Sequence, residues 1–199
     1  MLLENSFEYK GNKVKYFSNA KTRPQNKQVL LLHGFSFNSK VWEEIGLIDI
    51  LEKLGYNIYA LDIPGFPKSS NRFDLSEEEQ VELLSQLLSK VIKKNVVILG
   101  ASAGAYLALK LAEHDSNKIK ALITVGAAQL DKINWKEIST NLFGIWGGND
   151  TISDPIEGTK IFESHGAKTT IINNARHACY LDKPDEFKKA VKEFLESVK

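Results

Sequence analysis

Hydrophobic and polar residues along the chain form two alternating patterns. Short, mainly apolar runs, typical of strands buried in a sheet, occupy residues 28–32, 56–61, 96–99, 119–125 and 142–146. Residues 168–172 are predicted to form a further strand. Between most of the strands, apolar residues recur at helical spacing, as in 41–54, 77–91 and 155–164, and they do so again after the last strand in 184–198. Residues 7–17 instead alternate at period two around Gly11 and Asn12, which predicts a β-hairpin. The sequence therefore predicts an α/β fold, with an N-terminal hairpin and a mostly parallel central sheet covered by helices on both faces.

Side chains suited to capping mark where several helices begin. Asn38 or Ser39 is predicted to cap the helix over 41–54. Ser76 and Glu79 have the spacing of a capping box. Asp154 precedes a proline and is predicted to cap the helix over 155–164. Residues 18–26 are polar and are predicted to form a loop.

Length and composition indicate one ordinary globular domain over residues 1–199. The net charge of +1 gives no reason to expect nucleic acid or a membrane surface as a partner. The single Cys179 excludes an internal disulfide, and no apolar run approaches the roughly 20 residues needed to span a bilayer. With no evident signal peptide, we expect a soluble cytoplasmic protein. The sequence leaves its oligomeric state open.

The segment over residues 95–113 carries the clearest chemical signal. A buried strand is followed at once by Gly100-Ala-Ser102-Ala-Gly104, and then by a helix-forming run rich in Ala and Leu. A serine on such a strand-to-helix turn projects above the sheet edge, close to a helix N-terminus that can stabilise an oxyanion. Ser102 is therefore a candidate nucleophile. The alternative is a glycine-rich turn that contains an incidental serine.

A serine nucleophile needs a base, and the base needs an acceptor that fixes its tautomer. His177, in the loop after the last predicted strand, is the candidate base, and Asp150 is the candidate acid. Both follow strands, as Ser102 does, and functional residues of such sheets lie beyond the carboxyl ends of the strands. No spacing of His, Cys, Asp or Glu indicates a metal site. We therefore expect neither a metal nor a cofactor.

Other titratable residues have structural interpretations. His33 follows a strand and is expected to hydrogen-bond to the backbone, and Asp62 is expected to form a turn. His114 and His165 lie near predicted helix ends. Cys179 is expected to be a small buried side chain.

Five segments together resemble motifs of the α/β-hydrolase family, over nearly the whole chain. They are His33-Gly-Phe35, Asp62-Ile-Pro-Gly-Phe-Pro-Lys-Ser, Gly100 to Gly104, Gly147-Gly-Asn-Asp150, and Arg176-His-Ala-Cys-Tyr-Leu. The order Ser102, Asp150, His177 is the order of that family's triad. The resemblance, with the geometry of the turn, implies an oxyanion hole formed by the backbone amides of Phe35 and Ala103.

Three departures from the family pattern bear on the substrate. Pro67 stands where the family often has glycine, and Ala101 replaces a frequent histidine. Residues 126–141 are too few for the helical cap that many relatives insert there, so we expect a small capless member. Aromatic residues in or beside the site loops are candidate pocket residues, although each could equally be ordinary core or rim; besides Phe35 they are Phe37, Phe66, Tyr106 and Tyr180.

The sequence thus predicts a serine hydrolase of small carboxylic esters or thioesters. The same residues are also compatible with peroxidase, amide-cleaving or carbon–carbon-cleaving chemistry. An interaction protein with vestigial catalytic residues is a further alternative, because fold does not determine function.

Overall fold

The computed structural model describes residues 2–20, 27–93 and 95–198 and contains one eight-stranded sheet. The strands are β1 (Leu3–Tyr9), β2 (Asn12–Ser18), β3 (Lys27–Leu32), β4 (Tyr56–Leu61), β5 (Val96–Ala101), β6 (Ile119–Val125), β7 (Asn141–Gly147) and β8 (Lys168–Ile172). Their spatial order is β1-β2-β4-β3-β5-β6-β7-β8. The β1–β2 and β2–β4 pairs are antiparallel, and all the others are parallel. The predicted hairpin and mostly parallel sheet are confirmed.

Helices pack on both faces of this sheet. They are α1 (Val41–Glu44), α2 (Leu47–Lys53), α3 (Glu77–Leu87), α4 (Ala103–Asp115), α5 (Pro155–Ser164), α6 (Cys179–Asp182) and α7 (Pro184–Ser197). In β3, Leu30 and Leu32 belong to the core beneath α3 and α4, whereas Val29 and Leu31 belong to the core beneath α2 and α7. This two-sided burial explains the continuous apolar runs. Among the described residues, no helix is long and apolar enough to cross a membrane.

The first predicted helix is interrupted, and its predicted cap is wrong. Gly46 adopts a left-handed conformation with φ of 71° and separates α1 from α2. Lys40 occupies the N-cap position of α1, where no side chain caps the helix. Asn38 instead accepts a hydrogen bond from the amide of Lys40, and the amide of Ser39 donates to Asp62. These contacts hold a tight turn ahead of the helix.

The other predicted caps are confirmed. Ser76 and Glu79 exchange side-chain-to-backbone hydrogen bonds of 3.2 and 3.0 Å at the start of α3. Asp154 accepts hydrogen bonds from the amides of Ile156 and Glu157 at the start of α5. The end of α3 continues as a π-helical segment, Leu88–Ile92, which the sequence analysis did not predict. Most of the predicted loop over residues 18–26 lies outside the described residues.

The connection between β6 and β7 is short, as predicted. It contains two 3₁₀ turns, Leu130–Lys132 and Trp135–Glu137, and no α-helix. Trp135 packs edge-on against Phe162 of α5 and stacks on His165. Since no helical cap is inserted here, the carboxyl edge of the sheet is left open.

Candidate active site

Ser102 lies on a sharp turn between β5 and α4. Its backbone has φ of 51° and ψ of −116°, a conformation that costs a non-glycine residue about 1–3 kcal/mol. A Cβ added at Gly100 would lie 2.5 Å from the carbonyl oxygen of Gly104, and one added at Gly104 would lie 2.5 Å from the carbonyl oxygen of Leu32. Strand and helix can approach this closely only because both positions are glycine.

The structure brings Ser102, His177 and Asp150 together. The Nε2 atom of His177 lies 2.8 Å from Oγ of Ser102, and its Nδ1 atom lies 2.8 Å from Oδ2 of Asp150. Because an ionised carboxylate only accepts, Nδ1 carries the proton and Nε2 is free to accept one from the serine. The arrangement can therefore move a proton from Ser102 to His177.

Asp150 is held in place by the backbone that follows it. Its side chain is fully buried, and Oδ1 accepts hydrogen bonds from the amides of Ile152 and Ser153, at 2.8 and 3.0 Å. This leaves Oδ2 for His177, whose side chain is 18% exposed. A buried acceptor fixed at both oxygens orients the imidazole and favours its cationic form during proton transfer.

Two glycines make room for the histidine loop, and the sequence analysis assigned neither a role in positioning it. A Cβ at Gly126, where φ is 56°, would lie 2.9 Å from Cε1 of His177. A Cβ at Gly147 would collide with the carbonyl oxygens of Ala175 and Arg176. The only sequence signal is that each glycine ends or follows a strand at the same sheet edge.

The amides of Phe35 and Ala103 lie in segments adjoining Ser102. Ala103 is the first residue of α4, where backbone amides have no partner within the helix. Gly34, which precedes Phe35, lies against the nucleophile, since a Cβ there would be 3.6 Å from Cβ of Ser102. Among the described residues, neither amide donates to a protein acceptor.

His33 positions this loop and lies outside the hydrogen-bonded chain around Ser102. Its Nδ1 lies 2.9 Å from the carbonyl oxygen of Gly34, and its Nε2 accepts from the amide of Ile63 at 3.0 Å. Burial lowers its pKa, which favours the neutral ring. A carbonyl and the N–H of the same trans peptide point in opposite directions, so fixing the Gly34 carbonyl directs the amide of Phe35 away from His33.

The contacts and burial of Asp62 and Cys179 indicate structural roles for both side chains. Burial alone would raise the pKa of Asp62, but hydrogen bonds from Ser39 and Ser70 outweigh it and lower that pKa. The carboxylate thereby ties two loops together. Burial raises the pKa of the Cys179 thiol to about 12, which leaves it unreactive as a nucleophile. Within the described ranges, no group of three or more His, Cys, Asp or Glu side chains is placed to hold a metal ion.

A cavity of about 230 Å³ lies over Ser102 and His177. Its remaining lining consists of Gly34, Phe35, Ser36, Phe37, Ile152, Ala178 and Tyr180. Ile152, which is 67% exposed, was missed by the sequence analysis because it lies in a polar turn beyond Asp150.

Two of the aromatic residues predicted to line a pocket lie elsewhere. Phe66 packs against the ring of Phe35 and against His33, outside the cavity lining. The hydroxyl of Tyr106 donates to Glu77 at 3.0 Å, which directs it towards α3. Neither side chain therefore belongs to the cavity that the sequence analysis assigned to it.

Comparison with known proteins agrees with this architecture. Residues 27–143 match the family model for the alpha/beta hydrolase fold. The chain belongs to the α/β-hydrolase family. The match to this family's model contains Ser102 and ends before Asp150 and His177.

Several relatives of this α/β hydrolase are named proteins. It is 31% identical over 172 residues to Protein ABHD14A of Danio rerio, a match that covers 84% of this chain and 64% of the relative, just under two thirds of its length. It is 27% identical over 209 residues to ABHD14B of Rattus norvegicus, covering 99% of this chain and 97% of the relative. Among solved structures, a predicted CIB-like hydrolase from Thermoplasma acidophilum superposes with a TM-score of 0.86 at 25% identity and covers 99% of each chain.

Proposed function

We propose that this α/β hydrolase cleaves small carboxylic esters or thioesters through an acyl-enzyme on Ser102. The observation that carries the proposal is the hydrogen-bonded chain from Ser102 Oγ through His177 to the buried Asp150, with both contacts at 2.8 Å. The strained turn at Ser102 and the unpaired amides beside it supply the other parts that acyl transfer requires.

In the proposed acylation step, Oγ of Ser102 attacks the substrate carbonyl while its proton passes to Nε2 of His177. The amides of Phe35 and Ala103 donate to the oxyanion of the tetrahedral intermediate. The intermediate collapses, the bond to the alcohol or thiol breaks, and His177 returns the proton to the leaving atom. Asp150 stays ionised throughout and stabilises the imidazolium.

Deacylation repeats these steps with water as the nucleophile. His177 accepts a proton from water, whose oxygen attacks the acyl carbonyl, and the second intermediate is held by the same two amides. Collapse releases the carboxylic acid and returns the proton to Ser102. The net reaction consumes one water and yields an acid and an alcohol or thiol.

The size of the catalytic cavity favours short acyl groups. About 230 Å³ is below the range of roughly 300–1,000 Å³ typical of small-molecule sites, and no cap covers it. Each buried CH₂ contributes about 0.8 kcal/mol, so longer chains should help only while the cavity covers them. We expect kcat/KM for p-nitrophenyl esters to peak between acetyl and roughly butyryl. A continued rise to decanoyl, or a jump when the substrate forms micelles, would contradict the open-cleft interpretation.

Labelling with a fluorophosphonate probe tests the proposal without knowledge of the substrate. Mass spectrometry should locate the adduct on Ser102, and Ser102→Ala should abolish labelling and lower kcat by roughly 10⁵–10⁶. An adduct on Ser36, Ser69 or Cys179 would refute the nucleophile. Absence of any adduct on the folded protein would instead favour a non-catalytic interaction protein.

Amide cleavage is the second candidate, and a relative's name favours it. The Rattus norvegicus relative carries the name "Putative protein-lysine deacylase ABHD14B" and aligns over nearly the full length of both chains. Comparing kcat/KM for an Nε-acetyl-lysine peptide and for p-nitrophenyl acetate discriminates the two. An esterase should cleave only the activated ester at an appreciable rate, whereas a deacylase should also release free lysine side chains.

A further inference from the structure

A second cavity, of about 510 Å³, lies beside the proposed catalytic site. One wall is the connection from β6 to β7, between Ala127 and Trp135, and the other is the beginning and one face of α5. Its volume is more than twice that of the cavity over Ser102 and falls within the range of small-molecule sites.

The two cavities adjoin on the side of His177. Ile152 lines both of them. Gly126, which makes close contact with the His177 ring, directly precedes Ala127 in the wall of the second cavity. The buried Ser153 fixes this wall, because its hydroxyl donates to the carbonyl of Ala127 at 2.5 Å. The second cavity is thus a fixed neighbour of the proposed base.

The proposed mechanism places the leaving group on this same side. His177 must return its proton to the leaving atom, so the alcohol or thiol departs next to the imidazole. The segment that touches the imidazole leads directly into the second cavity. This step of the inference rests on the proposed function.

The charged side chains that line the second cavity are mainly acidic. Asp131, Asp154 and Glu157 line it, and none of its described lining residues is Lys or Arg. Its one basic side chain, His165, stacks on the indole of Trp135 with ring centroids 4.7 Å apart. The carboxylates attract an organic cation by direct charge attraction.

We propose that this cavity binds the leaving-group side of the substrate and selects a cationic alcohol or thiol, one that carries a quaternary or other ammonium group. The acyl group occupies the smaller cavity over Ser102. The ester or thioester bond then lies between the two cavities, within reach of His177.

Matched thioesters test the charge preference. Acetylthiocholine carries a quaternary ammonium, and S-(3,3-dimethylbutyl) thioacetate replaces it with an uncharged group of the same shape. The wild type should hydrolyse the cation with a kcat/KM roughly tenfold higher, as two or more partly screened charge contacts would give. Released thiol, measured by disulfide exchange with a chromogenic reagent, is the readout.

Two double variants, each of which replaces two carboxylates with amides of the same shape, locate the effect. Asp131→Asn with Glu157→Gln should remove most of the preference for the cation, because both carboxylates are exposed lining groups. Glu8→Gln with Asp49→Asn changes the net charge equally at exposed positions outside the cavity, and it should keep the preference. Asp154 is left intact because its substitution would uncap α5.

The Glu8→Gln with Asp49→Asn pair should hydrolyse p-nitrophenyl acetate at the wild-type rate. Fluorophosphonate labelling of Ser102 checks in both pairs that the protein is folded and the nucleophile is intact. Failure of Ser102 labelling in the wild type refutes the proposed function itself. With labelling intact, equal rates for the two thioesters overturn the cationic subsite. Hydrolysis of neither thioester, or a preference that survives Asp131→Asn with Glu157→Gln, overturns it as well.

Discussion

Two histidines follow strands at the same edge of the sheet, yet their surroundings differ in kind. His33 is fully buried, and backbone groups of Gly34 and Ile63 occupy both of its ring nitrogens. His177 is partly exposed, and its nitrogens meet a carboxylate on one side and the hydroxyl of Ser102 on the other. A ring with both nitrogens satisfied by the backbone can only position its neighbours. A ring between an acceptor and a hydroxyl can exchange a proton with a substrate.

Replacing each histidine in turn should give the largest measurable difference between the two sites. His177→Ala should lower kcat by roughly 10⁵–10⁶ because the nucleophile loses its base, while the free energy of unfolding changes little. His33→Ala should act mainly on stability and loop geometry, because it leaves a buried amide unpaired at a cost of about 1–3 kcal/mol. Urea unfolding and steady-state hydrolysis of p-nitrophenyl acetate measure both effects. A folded and fully active His177→Ala protein would remove His177 from the mechanism.

The packing of the two loops predicts a smaller effect at Gly126. Gly126→Ala places a Cβ 2.9 Å from the His177 ring, and a displacement of about 1 Å can cost roughly 10²-fold in rate. Gly11→Ala is the matched control, because Gly11 also has positive φ but would leave its Cβ with no neighbour within 4 Å. Both variants should lose stability from backbone strain, with an additional loss in Gly126→Ala from the contact with His177, and only Gly126→Ala should lose kcat. Equal kcat values for the two would show that contact with Gly126 does not position the histidine.

The sequence was most informative where one short segment contains the whole signal. Strand, turn and helix around Ser102 are contiguous, so the turn could be predicted from glycine spacing and helix propensity. The capping box at Ser76, the N-cap at Asp154 and the short connection between β6 and β7 are local in the same sense. The fold class followed because parallel strands buried on both faces carry uninterrupted apolar runs.

What the sequence could not provide depends on packing between distant segments. Gly126 and His177 are far apart in the chain, and their contact exists only once β6 and the last loop are in place. Tyr106 follows Ser102 closely, but the rotation of α4 turns it towards Glu77. The break between α1 and α2 was missed as well, because the apolar residues keep their helical spacing past Gly46, which adopts a left-handed conformation.

Stability at acidic pH provides the finest distinction between the two histidine environments. Burial lowers the pKa of native His33, so below a pH of about 6.5 the unfolded chain takes up a proton at this residue that the native protein does not. The stability contributed by neutral His33 is therefore present above that pH and is lost as the pH falls towards the lowered native pKa. The loss is at most about 1.4 kcal/mol per pH unit.

Urea unfolding at pH 7.5, 6.5 and 5.5 measures this loss in the wild type and in two variants. His33→Gln abolishes the buried titration, and His165→Gln removes an exposed histidine as a control for the number of titratable rings. The free energy of unfolding of His33→Gln should fall less between pH 7.5 and 5.5 than that of His165→Gln, by up to about 1.4 kcal/mol. Parallel curves for the two variants would mean that native His33 takes up its proton as readily as the unfolded chain does. A ring that charges so readily would not hold the Gly34 carbonyl and the Ile63 amide in the way described for the neutral form.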